Sequence, residues 1–237
     1  MLQIKNLSVK VGEKQILNQI SFDFETGKNY CILGKNGSGK SSLAMTLAGN
    51  PKYEISEGEL LLDGHSLKEM SPDERNRAGI FLTFQNIPEV PGVKLFEFLK
   101  TIYDARAEKP STFLEFKKII EPLMAELEIE KAFLWRDLNV GFSGGEKRKI
   151  EVLQIKLLKP KYIILDEIDS GLDVNAVRQV AELLKAVNTE ENSFIVITHL
   201  FEMLQELPLE KILILEQGKI KAIGGRELMD QVRKEGF

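Results

Sequence analysis

The sequence predicts an α/β fold in which a largely parallel sheet is combined with an N-terminal antiparallel β region and an inserted helical subdomain. Three observations support this fold class. Apolar runs typical of strands alternate with helical patterns near both ends of the chain, which favours a parallel sheet with helices on both faces. The middle of the chain holds helical patterns but few strand-like runs. The 237 residues suffice to bury a sizeable core without disulfides.

The first third of the chain is predicted to consist mainly of strands. The predicted strands are residues 2–11, 16–24, 30–33, 58–63 and 79–84. Residues 2–11 and 16–24 place apolar side chains at intervals typical of a half-buried strand, whereas residues 30–33 form a short apolar run that ends at a glycine. A helix over residues 40–49 follows that run and ends near Gly49.

The rest of the chain divides into a helical part and a second set of core elements. The predicted elements are helices at 96–104, 112–127, 143–158 and 174–187, strands at 162–165 and 194–198, and a hairpin formed by 212–215 and 219–223. We therefore predict an α/β core made of residues 1–87 and 159–237, interrupted by a helical subdomain of residues 88–158.

Composition excludes several classes of protein. The chain carries 32 Lys and Arg against 36 Asp and Glu, a formal charge of −4, and 43% of its residues are hydrophobic. These values are those of a globular protein and argue against a general nucleic-acid or anionic-membrane binder. A single cysteine, Cys31, excludes a disulfide framework and fits a reducing compartment. No apolar run approaches the ~20 residues of a membrane span, and no secretory or import leader is visible. We expect a cytoplasmic protein that neither enters the membrane directly nor binds nucleic acid.

A glycine-rich loop follows the strand at 30–33 and opens the next helix. Residues 34–41 read Gly-Lys-Asn-Gly-Ser-Gly-Lys-Ser, which matches G-x-x-x-x-G-K-S/T. Its glycines permit a tight wrap around phosphates, and the helix start adds free N–H groups and a positive dipole end. Lys40 should reach the β- and γ-phosphates, and Ser41 should bind Mg²⁺. The predicted ATP contacts in this P-loop NTPase motif are Gly34, Lys35, Asn36, Gly37, Ser38, Gly39, Lys40, Ser41 and Ser42.

Two carboxylates follow the apolar strand at 162–165. Because ligands bind at the carboxyl ends of parallel strands, Asp166 is predicted to hold Mg²⁺ through water. Glu167 would then be the general base, or the residue that orients the attacking water. The next residues allow a simpler interpretation, in which Asp169, Ser170 or Asp173 caps the following helix.

Two consecutive glycines stand at the start of the helix predicted at 143–158. Ser143 and Glu146 match the S-x-x-E capping box, which by itself is a structural feature of many helices. Gly144 and Gly145, however, each cost roughly 1 kcal/mol against alanine in a helix. Their presence indicates that a ligand approaches the backbone closely, and a γ-phosphate would be favoured there by the helix dipole.

These residues resemble the signature motif of the ABC ATPases, usually Leu-Ser-Gly-Gly-Gln, with Phe142 and Glu146 as departures. The resemblance implies that Ser143, Gly144 and Gly145 contact nucleotide and that Gln85 is the Q-loop glutamine, a ligand of nucleotide and Mg²⁺. It also implies that residues 170–173 form the D-loop, in which Asp173 contacts nucleotide, and that His199 is the catalytic switch histidine. Many members stack an aromatic side chain on adenine where this chain has Val11, so the base should be held more weakly.

Longer stretches are similar to a narrower group, the ATPase subunits of the SUF iron–sulfur cluster assembly system. They are residues 139–149, Asn-Val-Gly-Phe-Ser-Gly-Gly-Glu-Lys-Arg-Lys, and residues 165–173, Leu-Asp-Glu-Ile-Asp-Ser-Gly-Leu-Asp. This resemblance implies SufB/SufD-like scaffold partners and two copies of the chain that sandwich ATP head to tail. Two alternatives stay open: the ATPase subunit of a membrane transporter, and a soluble ABC ATPase acting on DNA or ribosomes. The basic run 147–149 is interpreted as a solvated helix face.

Overall fold

The structure is a computed structural model that describes residues 1–168, 174–198 and 207–235. The strands are β1 (Leu2–Val11), β2 (Lys14–Phe24), β3 (Asn29–Leu33), β4 (Glu54–Leu62), β5 (His65–Ser66), β6 (Ile80–Leu82), β7 (Val90–Lys94), β8 (Asp137–Leu138), β9 (Tyr162–Asp166), β10 (Ser193–Ile197), β11 (Leu209–Glu216) and β12 (Lys219–Gly224). The helices are α1 (Lys40–Leu47), α2 (Pro72–Ala78), α3 (Leu95–Asp104), α4 (Phe113–Glu126), α5 (Gly144–Leu158), α6 (Val174–Val187) and α7 (Arg226–Glu235), with a 3₁₀ turn at Lys131–Trp135.

The chain divides into two compact units. The first comprises Met1–Thr83, Pro160–Ile168 and Asn188–Phe237, and the second comprises Phe84–Lys159 and Asp169–Val187. The division differs from the predicted core of 1–87 and 159–237 because α6 groups with the helical unit. The reason is that α6 packs on α5, and Val177, Val180 and Leu184 of α6 are buried at helical spacing.

Two sheets build the first unit. A four-stranded antiparallel sheet has the order β2-β1-β4-β5, and a six-stranded sheet has the order β12-β11-β3-β10-β9-β6. The second sheet is parallel from β11 to β6, and only β12 runs antiparallel, as the partner of β11 in the predicted hairpin. The predicted mixed α/β fold with an antiparallel β region is confirmed. Every residue of β3, β9 and β10 is buried, which explains why these strands lack alternation in the sequence.

One buried tyrosine joins the N-terminal strands to the parallel sheet. The Tyr162 hydroxyl accepts a hydrogen bond from the N–H of Leu2 at 3.0 Å and donates one to the carbonyl of Phe24 at 2.8 Å. Its 0% exposure requires such partners, since an unpaired buried hydroxyl is costly. The start of β9 is thereby held in place, and its far end carries the two predicted site carboxylates.

In the second unit, α3, α4 and the 3₁₀ turn share an aromatic cluster. Phe96 contacts Phe113, Phe116 and Trp135 with ring centroids 4.8 to 5.3 Å apart. The short pair of strands β7 and β8, together with α2 and α7 elsewhere in the chain, was not predicted from the sequence. Within the described ranges, no helix has the length and apolarity needed to cross a bilayer.

Candidate active site

The loop that follows β3 is held against β11 rather than standing free. Gly34 has φ +153°, and a Cβ at this position would lie 2.3 Å from the carbonyl oxygen of Leu215 and 2.6 Å from Ser38 Oγ. No side chain fits there. Farther along the loop, the N–H of Gly218 donates to the Ser38 carbonyl at 2.9 Å, so the β11–β12 hairpin supports the loop from outside.

The helix α1 begins at Lys40 as predicted, and Gly39 precedes it with a left-handed φ of 107°. The first intrahelical bond runs from Leu43 N–H to the Gly39 carbonyl at 2.8 Å. A helix leaves the N–H groups ahead of that bond without an internal partner. At Gly39 the left-handed backbone disfavours a side chain, and an added Cβ would lie 2.9 Å from the Leu17 Cδ2 methyl group. The loop therefore directs a cluster of backbone donors and a helix dipole toward one place.

Lys40 is buried inside this loop. It is 4% exposed, and its Nζ donates to the carbonyls of Gly34 at 2.7 Å and Lys35 at 3.2 Å. Burial lowers the pKa of Lys40, while the charges of Glu167 and Asp166 oppose that shift. An anionic phosphate would favour the charged ammonium in the same way as those carboxylates do.

Ser41 and Asp166 lie 125 positions apart in the chain, and the fold brings them together. Ser41 Oγ donates to Asp166 Oδ1 at 3.1 Å, while the backbone N–H of Asp166 donates to the hydroxyl of Thr83. Asp166 is 2% exposed. Burial raises the pKa of Asp166, and Glu167 adds to that rise, whereas Ser41 and Lys40 lower it.

Glu167 stands directly beyond the end of β9 with a left-handed backbone. Its φ is 48°, and its N–H donates to the carbonyl of Ile197 at 2.8 Å. This positive φ is uncommon for a residue other than glycine and is often found where a fold holds functional residues. The bond to the end of β10 fixes the turn that carries the carboxylate.

The donor set fits both ligands expected from the sequence. Ser38 Oγ is buried and has no hydrogen-bond partner within the described part of the chain, so the loop keeps an unused donor beside its N–H groups. A phosphate oxygen would satisfy such groups. The Ser41 hydroxyl and the Asp166 carboxylate are hard oxygen ligands of the kind Mg²⁺ prefers.

Gln85 belongs to the second unit, where its backbone is bound by α5. Arg148 donates from Nη1 to the carbonyl of Phe84 at 2.7 Å and from Nη2 to the carbonyl of Gln85 at 3.3 Å. Glu151 accepts the N–H of Phe84 at 2.9 Å and pairs with Arg148 at 2.6 Å. The side chains of this ion pair are only 5% and 6% exposed.

The basic run 147–149 was interpreted as a solvated face, and for Arg148 that interpretation is wrong. Arg148 is buried because Glu151 and the backbone of residues 84 and 85 replace its hydration. Sequence reasoning also missed Glu151 as a site neighbour. The signal available was an Arg and a Glu three positions apart, which a helix places side by side.

The signature turn forms the predicted capping box at the start of α5. Ser143 Oγ accepts from the N–H of Glu146 at 3.3 Å, and Glu146 Oε2 accepts from the N–H of Ser143 at 2.7 Å. The backbone N–H of Ser143 contributes most to a lowered pKa of Glu146. The Ser143 hydroxyl also hydrogen-bonds to the Glu146 carboxylate and lowers this pKa further. Ser143 and Gly144 are exposed.

Phe142, a departure from the usual signature leucine, is explained by its neighbours. Its ring lies 4.7 Å from that of Phe133, and the Arg136 guanidinium stacks 4.5 Å from its centroid. A larger aromatic ring thus fills the space behind the signature turn and gains a cation–π contact. Two other predicted site residues, Asp173 and His199, lie outside the described residues.

Comparison with known proteins decides the family. The family model described as "ABC transporter" matches residues 17–170. Over the whole chain, the protein is 40% identical to "Probable ATP-dependent transporter ycf16" of Antithamnion sp., 96% of which is covered. It is 39% identical to "Probable ATP-dependent transporter SufC" of Escherichia coli (strain K12), covering 100% of this chain and 97% of that one. The chain belongs to the ABC ATPase family. It is an ATP hydrolase that binds ATP.

Solved structures of ABC cassettes share the fold of this ABC ATPase. One is a dimeric ATP-binding cassette in a post-hydrolysis state bound to ADP and phosphate, with a TM-score of 0.79 at 22% identity over 94% of this chain and 98% of that one. Another is the ATP-binding subunit of an ABC transporter, with a TM-score of 0.80 at 24% identity over 100% of this chain and 93% of that one.

Proposed function

We propose that this ABC ATPase is the motor of an iron–sulfur cluster assembly system and that ATP hydrolysis reshapes SufB/SufD-like scaffold proteins. The observation that carries the proposal is the 39% identity, over the full length of this chain, to a protein named SufC. It agrees with the stretches at 139–149 and 165–173, which are similar to that narrower group rather than to ABC ATPases in general.

The chain's single cysteine supports a role as motor rather than cluster carrier. Iron–sulfur clusters are held by about four protein ligands, mostly cysteines. Cys31 is 0% exposed in the middle of β3, and burial raises the pKa of its thiol, so it is a core residue. A cluster would therefore be held by the partners, and the energy of hydrolysis would be passed to them.

The proposed chemistry assigns a role to each group of the loop. Backbone N–H groups from Gly34 to Ser42, together with Lys35, Asn36 and Ser38, bind the phosphates, and Lys40 reaches the β- and γ-phosphates. Ser41, Asp166 and Gln85 hold Mg²⁺, which neutralises charge on the phosphates. Glu167 takes a proton from the attacking water or orients it, and His199 contacts the γ-phosphate. Support comes from the 3.1 Å bond between Ser41 and Asp166 and the fixed turn at Glu167.

A second copy of the chain is proposed to complete the site. Ser143, Gly144, Gly145 and Asp173 of one copy would contact the nucleotide bound to the loop of the other. The loop and the signature each occur once in the chain, and Ser143 and Gly144 are exposed at a helix start, where N–H groups are free for an anion. One structural neighbour is itself a dimeric cassette.

One rival function has support, because relatives carry the printed name "ATP-dependent transporter". A transporter subunit would pass its energy to an integral membrane permease. We propose instead a cytoplasmic protein with soluble partners, no nucleic-acid partner and no membrane insertion of its own.

Affinity capture of the tagged chain from its native cells tests the proposal. We expect two soluble scaffold proteins to copurify without detergent, and a Glu167→Gln variant loaded with ATP to retain them. Copurification of an integral membrane permease would overturn the proposal in favour of a transporter. As a matched control, the Lys156→Met variant removes the ion pair between Lys156 of α5 and Glu126 of α4 and should recover the same partners.

A further inference from the structure

One buried polar cluster of the second unit has no role in the proposed function so far. It consists of Arg148 and Glu151, one turn apart on α5, and the backbone of Phe84 and Gln85. Arg148 and Glu151 are each 4% exposed. Buried ion pairs of this kind add little net stability compared with apolar side chains of similar size. Their presence therefore calls for another explanation.

The contacts form a bracket with four hydrogen bonds. One oxygen of Glu151 accepts the Phe84 N–H at 2.9 Å, and the other accepts Arg148 Nη1 at 2.6 Å. Arg148 then donates to the carbonyls of Phe84 and Gln85 at 2.7 and 3.3 Å. The planar fork of a guanidinium suits such two-point contact. Both carbonyls and the N–H around Gln85 are thus bound to a single turn of α5.

The same helix begins at the signature turn. Ser143 caps α5, and Arg148 lies five positions later on it, so the bracket and the signature turn share one rigid element. We infer that Arg148 and Glu151 are positioning residues that hold the Gln85 backbone in a fixed place relative to the signature turn. This inference rests on the proposed role of Gln85 toward Mg²⁺ and nucleotide.

The bracket binds the backbone of two residues, Phe84 and Gln85, that are otherwise exposed to solvent. Without it, the backbone groups of these residues could exchange their bonds for water at little cost. Burial raises the pKa of Glu151, and Arg148 counteracts that rise. Because burying this charged pair costs desolvation energy, we expect the pair to serve a purpose, which is to fix the backbone of residues 84 and 85.

The variant that tests the inference removes both charges together. Arg148→Met/Glu151→Leu leaves no unpaired buried charge, so folding should survive. A matched control, Lys156→Met/Glu126→Leu, removes a more exposed ion pair between α5 and α4 without changing a contact to residues 84 and 85. Thermal unfolding of both variants checks that the second unit is intact.

Three measurements give the expected outcome. Hydrogen exchange at Phe84 and Gln85 accelerates in the nucleotide-free bracket variant but not in the control. The Mg²⁺ concentration for half-maximal ATP hydrolysis rises about tenfold or more, the range seen when residues that orient a ligand are removed. Binding of a fluorescent ATP analogue without Mg²⁺ stays unchanged. Adding Gln85→Ala to the bracket variant causes no further rise, because both changes act through one group.

Two results would overturn the inference in distinguishable ways. If Gln85→Ala raises the Mg²⁺ requirement but the bracket variant does not, or if the two effects add, Gln85 keeps its proposed role and the bracket does not position it. If Gln85→Ala leaves the Mg²⁺ requirement unchanged, the proposed role of Gln85 is itself wrong, and the positioning role falls with it.

Discussion

The loop after β3 and the signature turn at the start of α5 both present helix N-termini, yet they hold their polar groups in opposite ways. In the loop, Lys40 and Asp166 are 4% and 2% exposed, and their polar atoms bond to the loop carbonyls and to Ser41. At the signature turn, Ser143 and Gly144 are exposed, and the polar contacts are the two of the capping box.

The difference teaches that one region is organised before ligand arrives and the other is completed by it. Polar groups that are already buried and hydrogen-bonded need little reorganisation when a ligand binds. An exposed helix start offers donors that water satisfies until a partner displaces that water. This contrast is what the proposed function expects, in which the loop binds nucleotide first and the signature of a second copy then closes over it.

The largest effect is expected when the proposed base, Glu167, is replaced by an amide of the same shape. Glu167→Gln should slow ATP hydrolysis about 10²- to 10⁴-fold, because an amide cannot accept the proton of water. ATP should still bind. Single-turnover hydrolysis and equilibrium binding measure the two effects. The exposed Glu97→Gln variant serves as the control, and normal turnover in Glu167→Gln would remove Glu167 from the mechanism.

The second-largest effect is the difference in stability and ATP binding between alanine variants of two glycines in the loop. Gly34→Ala places Cβ 2.3 Å from the Leu215 carbonyl, whereas Gly37, at φ +78°, has open space around it. Gly37→Ala should therefore lower the free energy of unfolding only by the strain of a left-handed backbone at a residue with a Cβ, about 1–2 kcal/mol. Gly34→Ala should cost more and should also weaken ATP binding. Thermal unfolding and ATP titration of both variants test this, and equal losses would show that the loop does not depend on its contact with β11.

A third pair of variants examines the signature turn. Ser143 and Thr112 cap α5 and α4 with the same reciprocal bonds to a glutamate three residues later. Replacing either by alanine should lower stability by about 1 kcal/mol. Only Ser143→Ala should also slow hydrolysis, by about tenfold, the equivalent of one lost hydrogen bond. If both variants hydrolyse ATP at the same rate, the only role of Ser143 is to cap α5.

A smaller effect concerns the buried acid of the loop region. Burial raises the pKa of Asp166 above its usual value of 3.8, so its charged form destabilises the nucleotide-free chain at neutral pH. Asp166→Asn should therefore increase the free energy of unfolding at pH 7. The gain should shrink as the pH falls through the raised pKa and vanish below 3.8, where the wild-type group is protonated in both states. Denaturant unfolding across this range measures it, and a loss of stability at pH 7 would contradict the assignment of burial as the dominant cause.

The smallest effect is expected at the signature turn, where removing a charge should lower the free energy of unfolding rather than raise it. The capping bonds lower the pKa of Glu146 below its usual value of 4.5, so its charged form stabilises the fold above that pH. Glu146→Gln should decrease stability at pH 7 by less than about 1 kcal/mol. The difference should shrink as the pH falls through the lowered pKa. The same unfolding series as for Asp166→Asn compares the two regions directly.

Sequence reasoning predicted most strands, the loop and the capping box because each is encoded locally. Gly39 and Lys40 mark a helix start by their backbone preferences, and Ser143 and Glu146 are close enough in sequence to bond within one turn. It missed β7, which buries little, and β8, which has only two residues, and it wrongly predicts Arg148 to be solvated. Periodicity alone does not reveal a buried charge whose partners include backbone from 64 positions away.

The sequence by itself determined the family, the strand–loop–helix at residues 30–47 and the helix start at Ser143, since short-range backbone preferences and neighbouring side chains encode all three. Only the tertiary structure decided that Ser41 meets Asp166 at 3.1 Å and that Arg148 and Glu151 hold the backbone of residues 84 and 85. The physical reason is that these contacts join distant segments. Their geometry depends on how buried elements pack, which local preferences do not specify.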